Sequence, residues 1–260
     1  MQIILVGSSG AMGQSIVRFC EQDNHYDIYA GIQADKEKDE LYPVFHRFEE
    51  LSEYVATQNE KPDVIIDFST PHLTEELLVF ATAYKIPIVL ATTGQNESQI
   101  EQIRQASQQI AILDTHNTSI GVAVMQQTLA SLTRTLYPLG YDIEIIEKHH
   151  RYKKDSPSGT AIMLKQAIES MIAENMISVV YGREGLSQGR QREEIGIHAI
   201  RGGDIVGEHT VIFANNQETI EITHRAGSKE LFVRGALQCA EFVVTKSAGL
   251  YSMVDLMQGE

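Results

Sequence analysis

Cysteine is scarce in this 260-residue chain, occurring only as Cys20 and Cys239. Neither has a CxxC partner and both fall in apolar, helix-like contexts, which excludes a disulfide framework and a cysteine-based metal site. No metal is expected. Long hydrophobic runs are missing too, and no segment reaches the roughly 20 apolar residues of a membrane span. The opening MQIILVGSSG has no basic leader before its short apolar stretch, and reads as a buried first strand instead of a secretion signal. A cytoplasmic address without membrane attachment is the resulting expectation. Positive charge is in deficit, with 21 Lys and Arg against 35 Asp and Glu and a formal net charge of −14. That balance argues against a nucleic-acid partner, whose binding draws on phosphate neutralisation. No internal repeat or low-complexity tract is visible, and 43% hydrophobic content suits a globular chain of one large domain or two modest ones.

The first half alternates short apolar runs with amphipathic stretches. Ile3–Val6, Ile28–Ile32, Val64–Asp67, Ile86–Leu90 and Ile110–Leu113 read as strands. Helices are expected after the first glycines, after Ser69-Thr70-Pro71, and around Glu97–Gln108. Continuous apolar strands separated by helices indicate a parallel sheet covered on both faces, the doubly wound, Rossmann-like layout of nucleotide-binding domains.

The second half differs in texture. A helix near Ile120–Tyr137 leads to a strand at Tyr141–Glu147, a polar loop and a helix near Thr160–Ala173. Strands at Ile195–Arg201, Ile205–Ala214 and Thr219–Arg225 follow, the last alternating apolar and polar residues as a half-exposed strand does. The fold class is therefore α/β, with a second α+β domain built on a mixed or largely antiparallel sheet. Gly182–Arg192 reads as a long mobile loop, and a last helix at Glu230–Val244 could return to the first domain.

Two segments carry chemistry. Gly7-Ser8-Ser9-Gly10-Ala11-Met12-Gly13 sits between the first strand and first helix, where glycines permit a tight turn and close approach to a pyrophosphate at a helix N-terminus. The plainer alternative is an ordinary glycine-rich turn. At the end of the second strand, where an acidic residue would select NAD by binding the ribose 2′-hydroxyl, stands Gln33. Asp35 reads as a solvated loop charge, while Lys36 and Lys38 could loosely reach a 2′-phosphate. Either NADH or NADPH is therefore expected as cofactor.

The second segment runs from Glu147 to Thr160, EKHHRYKKDSPSGT, and six of its fourteen positions are Lys, Arg or His in an otherwise acidic chain. Histidine exchanges protons near neutral pH, and lysine binds carboxylates or donates a proton. Ser158-Gly159-Thr160 opens the following helix and offers a second anion site. Two such elements suit a small substrate with two carboxylates. A solvated basic loop is the alternative.

HHRYKKDSPSGTA resembles the signature of the dihydrodipicolinate (4-hydroxy-tetrahydrodipicolinate) reductase family, E-x-H-H-x-x-K-x-D-x-P-S-G-T-A. Further likenesses span the chain in order: GSSGAMG, Asp67-Phe68-Ser69-Thr70-Pro71, Ala91-Thr92-Thr93-Gly94, Asn117-Thr118-Ser119-Ile120-Gly121-Val122, Arg201–His209 and Gly249-Leu250-Tyr251-Ser252-Met253.

The resemblance implies NAD(P)H-dependent reduction of a cyclic unsaturated dicarboxylate in lysine and diaminopimelate biosynthesis. It makes His149 a proton donor or acceptor and Lys153 the general acid, and assigns His150, Lys153, Gly159 and Thr160 to the substrate carboxylates. It lays the cofactor on Gly7, Ser8, Ser9, Gly10, Ala11 and Met12, on Ala91, Thr92 and Thr93, and on Thr115, His116, Asn117 and Thr118. It also implies two hinged domains, residues 1–118 with 230–260 for the dinucleotide and 119–229 for substrate binding and tetramerisation, in a homotetramer. Three positions depart from the family pattern: Ala11 replaces an arginine, Ala91 a glycine, and Thr118 an aromatic or methionine. Two rivals are weighed. A semialdehyde dehydrogenase needs an exposed nucleophilic cysteine, and a regulatory NAD(H)-binding protein needs no acid–base residues.

Overall fold

A computed structural model of the chain describes residues 1–34, 41–173, 177–186 and 189–259. The chain enters through β1 (Gln2–Val6), α1 (Ala11–Cys20), β2 (Asp27–Ile32), β3 (Val44–Phe45), α2 (Phe48–Thr57) and β4 (Val64–Asp67). It continues with α3 (Thr74–Tyr84), β5 (Ile88–Leu90), α4 (Glu97–Ser107) and β6 (Ala111–Asp114). Then come α5 (Ile120–Leu136), β7 (Asp142–His149), α6 (Gly159–Glu169), β8 (Ser178–Tyr181), β9 (Glu194–Arg201), β10 (Gly207–Ala214) and β11 (Thr219–Ala226). The chain ends in α7 (Glu230–Val243), β12 (Gly249–Tyr251) and α8 (Met253–Gln258). These elements form two compact units, Met1–Ser119 with Phe232–Glu260, and Ile120–Leu231.

The first unit is a seven-stranded parallel sheet ordered β12-β6-β5-β4-β1-β2-β3. Its central strands are apolar except at their ends because helices cover both faces: Ile3, Ile4, Leu5 and Val6 are fully buried. Helix α1 presents Ile16 and Val17 to the sheet, and α3 presents Leu77, Leu78, Phe80 and Ala81. Helix α4 starts at a capping box in which Asn96 accepts from the Gln99 amide while the Gln99 side chain accepts from the Asn96 amide.

The second unit is a five-stranded mixed sheet ordered β11-β10-β7-β9-β8. Strand β10 pairs antiparallel with β7 and β11, whereas β9 runs parallel to β7 and β8. Helices α5 and α6 bury one face, with Met125, Leu129, Leu164 and Ile168 packing on Ile143, Ile145, Ile195, Ile197, Val211 and Phe213. Along β7 the residues alternate between half-buried and buried, so Ile143, Ile145, Glu147 and His149 share the helix-covered side. The signature segment thus begins as the end of a core strand.

The expected loop at Gly182–Arg192 includes residues 187–188, outside those described. Two of its arginines form ion pairs: Arg183 with Glu144 and Glu194, and Arg190 with Glu144 and Asp142. The sheet supplies the carboxylates of these pairs, from β7 and β9.

Candidate active site

In the first unit, the residues expected to hold a cofactor all follow the C-terminal ends of parallel strands, the edge at which open α/β sheets bind ligands. Gly7, directly after β1, has φ of +84°, and a Cβ there would stand 2.7 Å from Phe68 O, so only glycine makes this turn. The Gly7 and Ser8 amides both donate to Ile32 O, which welds the turn to the end of β2. Gly10 is the N-cap of α1 and Ser9 and Ala11 are exposed there, leaving the helix N-terminus open to an anion. Met12 is half-buried.

Gln33 is buried, and its Oε1 accepts a hydrogen bond from Ser8 Oγ at 3.1 Å. Its own carbonyl meets His46 Nδ1 at 2.8 Å, from the residue that follows β3. Asp35, Lys36 and Lys38, weighed above for the ribose, lie outside the described residues. At the ends of β5 and β6, Thr93 and His116 are exposed, Ala91 and Asn117 are half-buried, and Thr92, Thr115 and Thr118 are buried. Thr115 Oγ1 donates to Asn117 O, and Thr118 Oγ1 donates to Phe232 O at the start of α7, each at 2.8 Å. The Thr118 hydroxyl is therefore turned inward, and only its backbone remains for a ligand.

In the second unit, the signature forms around a carboxylate that sequence reasoning had given no role. Glu147 is fully buried, and its Oε2 lies 2.6 Å from His149 Nδ1 and 2.7 Å from Arg201 Nη1. Its Oε1 accepts from Arg201 Nη2 at 2.8 Å and from the Ser158 amide at 3.0 Å. Burial alone would raise this carboxyl, but Arg201, His149 and the Ser158 amide outweigh it and hold it below the usual carboxylate range. Arg201 stands opposite His149 in the β7–β9 register, which the linear sequence conceals across fifty residues. Arg201 also donates to Asp155 O at 2.8 Å and so holds the loop that carries Lys153. Taking away one partner of such a buried pair costs about 3–5 kcal/mol.

His149 is 8% exposed, and a Cβ placed on Gly207 would stand 3.2 Å from its Nε2. Burial lowers its pKa; Glu147 opposes the shift, while Lys153 and Arg201 reinforce it, so the ring is neutral at pH 7. Its edge meets the buried ring of His209 at 5.1 Å between centroids. His209 Nε2 lies 2.9 Å from Ser158 Oγ, which in turn caps α6 by accepting from the Ala161 amide at 3.1 Å. Neither Arg201 nor His209 had been given a role beyond its place in a motif, though both stand in the Arg201–His209 segment.

Lys153 Nζ pairs with Asp155 Oδ2 at 2.8 Å, and the Lys153 amide donates to His150 O in a tight turn. His150 is half-buried, and its Nδ1 has no hydrogen-bond partner among the described residues. Gly159 and Thr160 open α6, Gly159 exposed and Thr160 half-buried. His149, His150, Lys153, Gly159 and Thr160 thus share one loop and one helix start. A cavity of about 550 Å³ lies near the same loop, lined by Ser156, Pro157, Tyr181, Gly182, Ile197, His198 and Ala199. Neither His149 nor any of the four residues expected to bind substrate lines it.

The semialdehyde dehydrogenase rival finds no nucleophile. Cys239 is fully buried with its thiol pushed up to about 12, and burial pushes Cys20 up to about 11.

A parallel sheet opening on a glycine-rich turn, joined in one chain to a mixed sheet that ends in an imidazole and an ammonium, defines a nicotinamide-dependent oxidoreductase. Within that class the chain belongs to the dihydrodipicolinate reductase family, whose N-terminal region matches residues 1–118 and whose C-terminal region matches residues 121–257. A family of this kind uses a nicotinamide cofactor. The 4-hydroxy-tetrahydrodipicolinate reductase of Caldanaerobacter subterraneus subsp. tengcongensis is 40% identical over 99% of this chain and 98% of its own. That of Clostridium tetani is 42% identical over 97% of this chain and 95% of its own. Among solved structures, a dipicolinate-bound dihydrodipicolinate reductase from Paenisporosarcina sp. TG-14 shares the fold at TM-score 0.78 and 22% identity, covering 97% of both chains. A diaminopimelate dehydrogenase of Corynebacterium glutamicum shares it more distantly, at TM-score 0.55 and 12% identity over 98% of this chain and 93% of its own. Among the described residues, no helix is long and apolar enough to cross a membrane.

Proposed function

We propose that the chain reduces 4-hydroxy-tetrahydrodipicolinate to tetrahydrodipicolinate, with the 4-hydroxyl leaving as water as the ring takes up a hydride and a proton, a step of lysine and diaminopimelate biosynthesis. The observation that carries this reading is the union of His149, Lys153 and the α6 N-terminus on one short loop in a chain of net charge −14. A dianionic ring needs local positive potential against a repelling global field, and this loop provides it.

The first unit fits a dinucleotide: the Gly7 turn brings backbone close to a pyrophosphate, and the exposed α1 N-terminus offers its amides. When bound, the nicotinamide supplies the hydride. This chain's residues do the rest. Gly159, Thr160 and His150 hold the carboxylates, Lys153 delivers a proton to the reduced ring, and His149 presents Nε2 as its partner in proton transfer.

Gln33 lacks the charge to reject either cofactor, so the enzyme takes NADH or NADPH. It works in the cytoplasm, where reduced nicotinamides are maintained, as a homotetramer assembled through the second unit's sheet. The face of that sheet opposite α5 and α6 supports this, since it displays Ile146, Ile200 and Ile212 with no helix of that unit over them among the described residues.

The deciding experiment is the loss of NADH or NADPH absorbance on adding freshly generated substrate to purified protein. A regulatory NAD(H)-binding protein would bind cofactor and leave the absorbance unchanged.

A further inference from the structure

We infer that Glu147 is the positioning residue of this site: it holds His149 as the Nδ1–H tautomer and fastens that ring to the start of α6, where a substrate carboxylate docks. The inference rests on the reading of the loop given under the proposed function.

The geometry comes from strand periodicity. Residues two apart on β7 face the same side, so the Glu147 carboxylate and the His149 ring both enter the covered face of the sheet. An ionised carboxylate only accepts hydrogen bonds and has about four sites for them. Here all are taken: His149 Nδ1 and Arg201 Nη1 on one oxygen, Arg201 Nη2 and the Ser158 amide on the other. With every direction used, the group has no freedom to rotate. Because it cannot donate, the proton it shares with His149 sits on Nδ1, and Nε2 of the neutral ring carries the lone pair.

The groups facing His149 come from four places. Glu147 lies on its own strand, Arg201 on β9, His209 on β10 and Lys153 on the following loop. Asp155 balances Lys153 at 2.8 Å and acts on the ring only through it and Arg201. Two cations and a second imidazole thus surround a ring with one buried anion beneath it. His149 enters each turnover as an acceptor, and the proton for the reduced ring must come from Lys153. Neutralising Arg201 would by itself require neither the histidine at 2.6 Å nor the Ser158 amide at 3.0 Å, and those two contacts join proton transfer to carboxylate binding.

Histidine-selective ¹⁵N labelling of the full protein, read by long-range ¹H–¹⁵N correlation without ligands at pH 7.5, tests this. The His149 resonances are assigned by their loss in His149→Asn. We expect wild type to show a single Nδ1–H tautomer for His149, and Glu147→Gln to show a mixture. In steady-state assays Glu147→Gln should lose roughly 10- to 100-fold in kcat, with a smaller change in the cofactor KM. Its acid limb of kcat/KM should move to lower pH, since removing the Glu147 charge leaves Arg201 and Lys153 unopposed. A wild-type His149 protonated on Nε2 would overturn the inference, as would a folded Glu147→Gln with wild-type kcat and pH profile. The wild-type spectrum decides the tautomer even if the variant does not fold. It also does so if the wild type proves inactive, in which case the proposed reaction fails and the positioning role is judged separately.

Discussion

Ser8 Oγ donates to Gln33 Oε1 at 3.1 Å, joining two buried side chains at the ends of β1 and β2. The bond commits the amide oxygen to the glycine-rich turn, so under the proposed function it is the amide NH₂ that would meet the ribose. A donor there serves a 2′-hydroxyl oxygen and a 2′-phosphate alike, and it repels neither.

The expected consequence is dual cofactor use, with kcat/KM for NADH and NADPH within about tenfold, a difference of roughly 1.4 kcal/mol. Gln33→Glu keeps the acceptor for Ser8 but places an anion where a 2′-phosphate would sit, so it should favour NADH chiefly by weakening NADPH. Paired kcat/KM measurements check both. A wild-type preference beyond a hundredfold would remove Gln33 as the selector.

Lys153→Ala should lower kcat by about 100-fold or more, the scale of a lost general acid. The loop itself should persist, because Arg201 still holds Asp155 O and the turn bond from the residue 153 amide to His150 O uses only backbone. Cofactor affinity, read by fluorescence titration of NADH, should be unchanged. Wild-type turnover in the purified variant would defeat the assignment.

How far these residues could be read in advance depended on range. Strand β4 was legible because its four residues are apolar or terminal and bounded by Lys61-Pro62-Asp63. The two residues of β3 are too short to show any period, and α2 hides Phe48, Leu51 and Val55 among three glutamates, Ser52 and Thr57, so neither is legible in the sequence. The site split the same way. His149, Lys153 and Ser158 lie within ten residues and announce themselves as a motif. Arg201 and His209 reach the site only through strand register, which pairs His149 with Arg201 and Glu147 with His209. The inward turn of Gln33 and Thr118 left no trace in residue type, since a residue that touches a ribose and one that bonds to its neighbour look alike in sequence.

Gly207→Ala should impair turnover with little loss of stability. Its added methyl would stand 3.2 Å from His149 Nε2, and the ring cannot swing away while Glu147 holds Nδ1. A displacement of a few tenths of an ångström at a reacting atom should reduce kcat about tenfold. Thermal unfolding within about 2 °C of wild type, together with that loss, is the expected pair of results. Unchanged kcat would mean that Nε2 does not face the chemistry.

Stability should fall with acid in a window set by buried histidine before the ion-paired carboxylates titrate. Burial pushes His209 down to about 4, with His149, Glu147, His224 and Lys153 contributing smaller effects, while the same residue in the unfolded chain titrates near 6.5. Between those values the unfolded state binds a proton that the folded state does not, so stability rises with pH there and is lost as pH falls from 6.5 towards 4. The shift corresponds to roughly 3 kcal/mol from His209. His149 and His224 are also depressed by burial and act in the same direction. Burial raises Asp67 and Asp114, which act in the opposite direction. The ion-paired carboxylates come later: Glu144, whose burial is outweighed by Arg183, His198 and Arg190, is held at about 2, so its contribution is complete above the ordinary carboxylate range and fades only below it. Urea unfolding at pH 7.5, 6 and 5 should therefore show a decline that His209→Gln flattens, because glutamine keeps a polar group near Ser158 Oγ but has no proton to gain. An equally steep decline in His209→Gln would transfer the window to His149 and His224.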